Sequence, residues 1–271
     1  MPAIDDPFDL RRRYGGAAFI TGASSGIGEA FARRLARCGF DLVLVARRAD
    51  RLEELARELE AAHRVAVHPV SQDLGERDGP MRAVAGADAA GVEIGMLVSN
   101  AGFGTYGPFL DQDAAAQIAI SEVNNRAPVA LACALAPRLV ARGRGAMIFL
   151  SSTAAYQPVP FEAVYGASKA FNLMFGEALW AELRPRGVDV CVLSPGFTPT
   201  EYQVKAGMGE VKPVTGWTTA EQVVEACLRR LGHGPSVVPG WRNRAIVALM
   251  RILPRSAQAM LTYRVNHPSK R

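Results

Sequence analysis

The sequence predicts a doubly wound α/β fold, a seven-stranded parallel sheet with helices on both faces and a C-terminal helical extension. Three observations predict it. Short apolar runs recur through residues 17–240 without polar alternation, the pattern of strands buried on both faces. Segments with apolar residues at helical spacing fill the gaps between them, and strands alternating with helices build a parallel sheet. A glycine-rich turn joins the first strand to the first helix that follows it.

In chain order, strands are expected at Ala17–Thr21, Asp41–Ala46, Val65–Val70, Ile94–Val98, Ala146–Leu150, Val188–Leu193 and Ser236–Val238. Ile27, Ala30, Phe31, Leu35 and Cys38 share one helix face, and Gly39 follows as a stop signal. Asp50 stands before Leu52, Leu55 and Leu59, with Glu53 placed for a capping box. Thr218 and Glu221 repeat that signal before Val224, Leu228 and Leu231. No linker divides the alternation. Residues 1–240 therefore read as one domain, and 241–271 as a basic amphipathic extension of it.

Composition bounds the rest. Of 271 residues, 49% are hydrophobic and 21% charged, which suits a globular chain and not a disordered one. No apolar run approaches the roughly 18 residues of a spanning helix. The start MPAIDDPFDLRRRYGG has no apolar core and does not read as a secretory signal. Cys38, Cys133, Cys191 and Cys227 form no C-x-x-C pair, and the four histidines lack ligand spacing. Reduced thiols, no metal site and a cytoplasmic location are the expectation. The net charge of +5 is uneven: nine of the 31 Lys/Arg follow Glu225, the last acidic residue, leaving 22 basic against 26 acidic groups before it.

Thr21-Gly22-Ala23-Ser24-Ser25-Gly26-Ile27-Gly28 spans the first strand–helix turn. Gly22 permits a tight turn, Gly26 lets backbone approach a pyrophosphate, and Gly28 allows close helix–sheet packing. The helix start supplies free N–H groups and a positive dipole for phosphates. The second strand ends at Ala46-Arg47-Arg48, where a site for NAD(H) usually carries a carboxylate for the ribose 2′-hydroxyl. A guanidinium forks onto a 2′-phosphate instead, so Arg47 and Arg48 favour NADP(H) over NAD(H). Asp50 is close by but is assigned to capping.

Tyr165-Gly166-Ala167-Ser168-Lys169 places a phenol and an ammonium on one helix face. A free phenol, with a pKa of about 10, is a poor proton shuttle at neutrality, and a nearby cation is expected to lower that value. Ser152 lies just past a strand, where its hydroxyl can hydrogen-bond a substrate carbonyl.

These motifs, together with Asp73, Asn100-Ala101-Gly102 and Pro195-Gly196, occur in the order of the short-chain dehydrogenase/reductase superfamily. The chain resembles its single-domain form over residues 14–240. The resemblance implies a Rossmann-type sheet and hydride transfer between a nicotinamide and a carbonyl or alcohol. It implies that Tyr165 protonates the forming alkoxide, that Lys169 holds the nicotinamide ribose and depresses the Tyr165 pKa, and that Ser152 orients the carbonyl. Asn124 would hold a water feeding a proton relay; Asn125 is adjacent, but Asn124 has the family's spacing. Asp73 and Leu74 would contact adenine, Asn100, Ala101 and Gly102 the adenine ribose, and Pro195, Gly196, Thr198 and Thr200 the nicotinamide amide. Ser99 departs from the family's Asn-Asn-Ala-Gly, which puts a strand tie in doubt. Thr198-Pro199 departs too and stiffens the loop. Tyr14-Gly15, Val238-Pro239-Gly240 and Leu253-Pro254 are similar to the branch of 3-oxoacyl-CoA and 17β-hydroxysteroid reductases. The family commonly assembles as homodimers or homotetramers, through helices near 124–139 and 165–183.

Residues 201–216 read as a lid over the substrate. Phe103, Tyr106, Phe109, Val159, Phe161, Phe197, Tyr202, Met208 and Trp217 are candidates for an apolar pocket suited to lipid-like, steroid-like or aromatic carbonyls. In 241–265, Trp241, Ala245, Leu249, Ile252 and Leu253 make an apolar side, with Arg244 and Arg251 along another. Two readings stay open, a membrane-surface or acidic-carrier element and a pocket flap or subunit contact; the second is preferred. No nucleic-acid motif accompanies the charge. The sequence thus reads as an NADP(H)-dependent reductase of an apolar ketone. The alternatives are a non-catalytic NADP-binding regulator, which the intact Ser152, Tyr165 and Lys169 oppose, and a dehalogenase-like relative, which Lys169 and the glycine loop oppose.

Overall fold

The structure is a computed structural model and describes residues 5–208 and 216–268. Seven parallel strands form one sheet in the order β3-β2-β1-β4-β5-β6-β7. They are β1 (Ala17–Thr21), β2 (Leu42–Ala46), β3 (Val67–Ser71), β4 (Ile94–Ser99), β5 (Gly145–Leu150), β6 (Val188–Leu193) and β7 (Ser236–Val237). The helices are α1 (Leu10–Tyr14), α2 (Gly26–Arg37), α3 (Ala49–His63), α4 (Gly79–Ala89), α5 (Ala114–Ser121), α6 (Ala127–Ala141), α7 (Ala163–Leu183), α8 (Tyr202–Lys205), α9 (Ala220–Arg230), α10 (Trp241–Ile252) and α11 (Arg255–Asn266).

Both faces of β1, β2, β4, β5 and β6 are buried almost throughout, which is why these strands read as unbroken apolar runs, whereas the edge strands β3 and β7 are partly exposed. Ala18, Ile20, Leu42, Leu44, Val98 and Ile148 join the core under α2, α3 and α9. Phe19, Val43, Val45, Leu97, Met147 and Phe149 pack beneath α4, α6 and α7 on the other face. Strand β3 is an edge strand paired only with β2, and it tolerates Pro69, which cannot donate to a ladder. It begins at Val67 and ends at Ser71, displaced toward the C-terminus from the expected run.

Two start signals fall differently from expectation. Helix α3 opens at Ala49 behind Arg48, so Asp50 lies inside the first turn and caps nothing. Its carboxylate there still complements the positive end of the helix dipole. Helix α9 is capped by Thr219, not Thr218; Thr219 and Gln222 close a reciprocal capping box. Pro254 separates α10 from α11, as a residue without an N–H must.

Candidate active site

The strand order reverses between β1 and β4, and a ligand crevice belongs at the C-terminal ends of strands beside such a reversal. A cavity of about 580 Å³ opens there. Its floor is the β1–α2 turn. Gly22 adopts φ +66°, which an L side chain resists, and a Cβ on Gly28 would fall 2.2 Å from the Gly22 carbonyl oxygen. The turn is thus pressed onto the start of α2. No side chain caps that helix, so its first N–H groups remain for an anion. The Thr21 hydroxyl accepts the N–H groups of Asn100 and Ala101 at 2.9 and 3.0 Å, and Asn100 Nδ2 donates to the Thr21 carbonyl at 2.8 Å. The strand tie that Ser99 put in doubt is made by these two neighbours.

Arg48 is built into the turn. Its Nη2 donates to Ser24 Oγ at 2.9 Å and Ser25 Oγ at 2.8 Å, while Nη1 meets the Glu201 carboxylate at 2.8 Å. Arg47 is exposed and sits 3.8 Å from Asp73, whose Oδ1 accepts the Gly75 N–H. Asp50 is exposed and lies outside the crevice lining.

Ser152 follows β5 and starts a 3-10 turn over Thr153–Tyr156. Its Oγ accepts the Ala154 N–H at 3.1 Å, leaving the hydroxyl hydrogen to donate elsewhere. Tyr165 and Lys169 lie one turn apart on α7. Lys169 is only 5% exposed, its Nζ donates to the Leu150 carbonyl at 3.1 Å, and it stands 5.6 Å from the Tyr165 ring centre. Burial brings its amine down to about 8. The Tyr165 phenol is pushed up to about 12, foremost by burial and then by the Glu162 carboxylate; hydrogen bonds shared with Ser152 and Tyr202 oppose the rise. The expected lowering by Lys169 is therefore not met in this state. Burial of the phenol is the first reason; Glu162, one turn before Tyr165, adds a charge of the wrong sign, and the Lys169 ammonium turns to Leu150.

Asn124 is fully buried within a π-helical turn, Glu122–Arg126. Its Nδ2 donates to the Phe103 carbonyl and Ser168 Oγ, both at 2.9 Å, and its Oδ1 accepts the Phe103 N–H at 3.0 Å. Asn124 therefore lies behind the crevice and holds its wall. Gly102 sits between Asn124 and Lys169, since a Cβ there would come 3.0 Å from Asn124 Oδ1 and 3.2 Å from Lys169 Nζ.

All other assigned residues except Gly28 line the crevice: Gly22, Ser24, Ser25, Gly26, Ile27, Arg47, Arg48, Asp73, Leu74, Asn100, Ala101, Gly102, Ser152, Tyr165, Lys169, Pro195, Gly196, Thr198 and Thr200. Of the apolar candidates, Phe103, Val159, Phe197, Tyr202 and Met208 line it. Tyr106 and Phe161 instead pack against each other, and Phe161 also against Tyr263 and His267. Trp217 meets Phe197 from outside the lining, and Phe109 is exposed. The lid residues 209–215 lie outside the described residues. Its described part is tied down, with Tyr202 donating to Glu162 at 3.0 Å and Glu201 held by arginines. Glu162, Glu201 and Asn266 also line the crevice and carried no motif signal, because each is brought in by a loop or by the C-terminal helix.

The cradle fits a dinucleotide: a glycine turn at an uncapped helix start, a guanidinium beside it, and a phenol, hydroxyl and amine at the far end. The profile of the short chain dehydrogenase family matches residues 16–210.

The chain belongs to this family.

It is 30% identical over 242 residues to the very-long-chain 3-oxoacyl-CoA reductase-B of Danio rerio, covering 85% of this chain and 75% of that protein. To the 7beta-hydroxysteroid dehydrogenase of Mediterraneibacter gnavus it is 31% identical, covering 88% and 91%. A short chain dehydrogenase of Pseudocercospora fijiensis is 36% identical over 202 residues, and the match spans 65% of that protein's length. Among solved structures, a 7beta-hydroxysteroid dehydrogenase superposes with a TM-score of 0.86 at 27% identity, covering 93% of this chain and 98% of that one. A short-chain dehydrogenase from Sphingobium yanoikuyae in complex with NADPH superposes with a TM-score of 0.76 at 33% identity, covering 89% and 97%. This short-chain dehydrogenase is thus an oxidoreductase on the α/β fold that those structures share, and its general chemistry is hydride transfer.

Proposed function

We propose that this chain is an NADP(H)-dependent carbonyl reductase acting on an apolar ketone, such as a 3-oxoacyl thioester or a steroid-like substrate. One observation carries the reading. Ser152, Tyr165 and Lys169 face the same crevice as the glycine turn and Arg48. When bound, the nicotinamide would supply the hydride.

The chain's own residues do the rest. Ser152 donates to the carbonyl oxygen, and Tyr165 passes its proton to that oxygen as negative charge develops. Lys169 binds the nicotinamide ribose, and its ammonium, turned from Leu150, favours the phenolate left behind. The π-turn at Asn124 holds the water that reloads Tyr165. Arg48, with Arg47 behind it, takes the 2′-phosphate. Asp73 and Leu74 border the adenine, Asn100 to Gly102 its ribose, and Pro195, Gly196, Thr198 and Thr200 the carboxamide. Holding two reactants in one orientation supplies much of the rate.

The apolar wall of Phe103, Val159, Phe197 and Met208 supports an apolar substrate. The names of the relatives, a 3-oxoacyl-CoA reductase and a hydroxysteroid dehydrogenase, point the same way. We further propose a homodimer or homotetramer through α6 and α7, on the exposed side chains of Phe171 and Met174. The four unbonded cysteines support a cytoplasmic location.

Oxidation of NADPH and of NADH should be followed with ketones of rising chain length and with steroid ketones. Turnover with NADPH preferred is the expected result. A preference for NADH would overturn the cofactor assignment, and no turnover with any ketone would overturn the reductase.

A further inference from the structure

The C-terminal helices pose a problem that the catalytic reading leaves unanswered. Helix α10 buries Asn243, Val247 and Met250 against the domain. At 3.6 residues per turn, the opposite side carries Trp241, Ala245, Ala248, Leu249 and Ile252. All five are exposed, with Trp241 at 68% and Ile252 at 78%. The apolar side of the amphipathic pattern thus faces outward, and the polar Asn243 faces in. Arg242 borders the stripe on one side, Arg244 and Arg251 on the other. Helix α11 continues the character, exposing Met260, Leu261 and Val265 beside Arg255 and Arg264.

From these observations we infer that the outward face of α10 docks on an anionic lipid surface. An exposed tryptophan and aliphatic stripe between arginines is the construction of a helix lying in a membrane interface, its cations reaching the headgroups. Charge selects the occupant. No acidic residue follows Glu225, so pairing this face with itself across a two-fold axis would set arginine against arginine. A surface of anionic headgroups pairs with Arg242 and Arg244 beside the stripe, while Arg251 stacks over the Tyr156 ring at 5.2 Å. The helix lies on the surface without crossing it, since no helix among the described residues is long and apolar enough to span a bilayer.

The position connects the docking to the crevice. Asn243 of α10 packs under Gly196 of the crevice loop, where a Cβ would come 2.6 Å from its amide. Thr262 of α11 donates to the Pro158 carbonyl at 2.9 Å, and Asn266 lines the crevice. The helices that would dock on lipid are therefore the same ones that brace the crevice with their inward sides, which ties the docked element to the site. The inference stands independently of the cofactor and substrate assignments.

The test is co-sedimentation of the full chain with vesicles of phosphatidylcholine alone or mixed with phosphatidylserine. Ile252→Glu and Arg242→Gln are compared with the wild type, and each variant's oligomeric state is measured by light scattering. Neither residue is part of the crevice lining. The expected result is pelleting only with the anionic vesicles, reversed by salt. Arg242→Gln should weaken partitioning roughly fivefold, and Ile252→Glu about tenfold or more, with oligomeric state unchanged. Failure to bind anionic vesicles, or equal binding to both kinds, overturns it. So does Ile252→Glu binding like the wild type while poly-L-glutamate competes fully, which marks an acidic polypeptide site. Dissociation of an oligomer by Ile252→Glu overturns it as well, by making the stripe a subunit contact.

Discussion

Glu201 Oε2 lies 2.8 Å from Arg48 Nη1 and joins the loop after β6 to the arginine that follows β2. The same carboxylate accepts from Lys205 at 2.6 Å and Arg51 at 2.5 Å. Lys205 first, then Arg51 and Arg48, hold its pKa down to about 2. The loop thus brings its own anion to the guanidinium assigned to the 2′-phosphate. Removing that anion should favour NADPH, so Glu201→Gln is expected to lower KM for NADPH while leaving KM for NADH nearly unchanged. Arg48→Ala should cut the NADPH-over-NADH preference by about ten- to a hundredfold, the worth of one or two charge-assisted hydrogen bonds. Steady-state kinetics with both cofactors checks each.

Tyr165→Phe removes the proposed proton donor and little else. Reduction should fall by about 10²- to 10⁴-fold, the range for a positioned general acid. NADPH binding, read by fluorescence, should persist. With the wild-type phenol near 12 in the free protein, Tyr165 stays protonated through the neutral range. Loss of NADPH binding together with turnover would mean that the ring supports the fold of the site instead.

Lys169 is a functional group that the fold pays for. Its folded pKa of about 8 lies below the ordinary 10.5 because of burial. Below pH 8 the amine is charged in both states and the folded state bears the full desolvation cost. Between about 8 and 10.5 the unfolded chain binds the proton more, so wild-type stability should rise with pH on account of this group. Lys169→Met should therefore be more stable than wild type at pH 7 by on the order of 2–4 kcal/mol, and the gap should close as pH approaches 10.5. The Leu150 carbonyl keeps a partner in the variant, because Asn172 Nδ2 also donates to it at 3.3 Å. Urea melts across that pH range, beside an activity assay that should show loss of turnover, test the claim.

Gly28→Ala puts a methyl carbon 2.2 Å from the Gly22 carbonyl oxygen, a backbone atom with no easy retreat. A cost of about 1–3 kcal/mol is expected, with NADPH affinity lost as the turn is pushed off the helix start. Thermal melts and cofactor titration report both.

Much of this was readable in the chain because it is periodic or local. Buried strands announce themselves as apolar runs, and the five inner strands lie where those runs lie, while the partly exposed edge strand β3 is displaced from its expected run. The glycine turn, Ser152 and the Tyr165–Lys169 pair are recognisable because backbone close approach and one helical turn impose fixed spacings. Helix starts were harder to place, since Asp, Thr, Glu and Gln near a boundary offer several caps and packing chooses among them. Thr219 with Gln222 prevailed over Thr218 with Glu221 for that reason.

By itself the sequence determined the fold class, the family and the chemical groups of the site, because those follow from spacing along one chain. Tertiary structure decided the meetings between distant segments: Glu201 on Arg48, Asn124 on Phe103, and Glu162 and Tyr202 around Tyr165. It also decided that the apolar side of α10 faces outward, since a hydrophobic period tells which residues share a side and not whether a neighbour covers it. The proton affinities of Tyr165 and Lys169 belong to that second set, because burial and the direction of a single ammonium are properties of three dimensions.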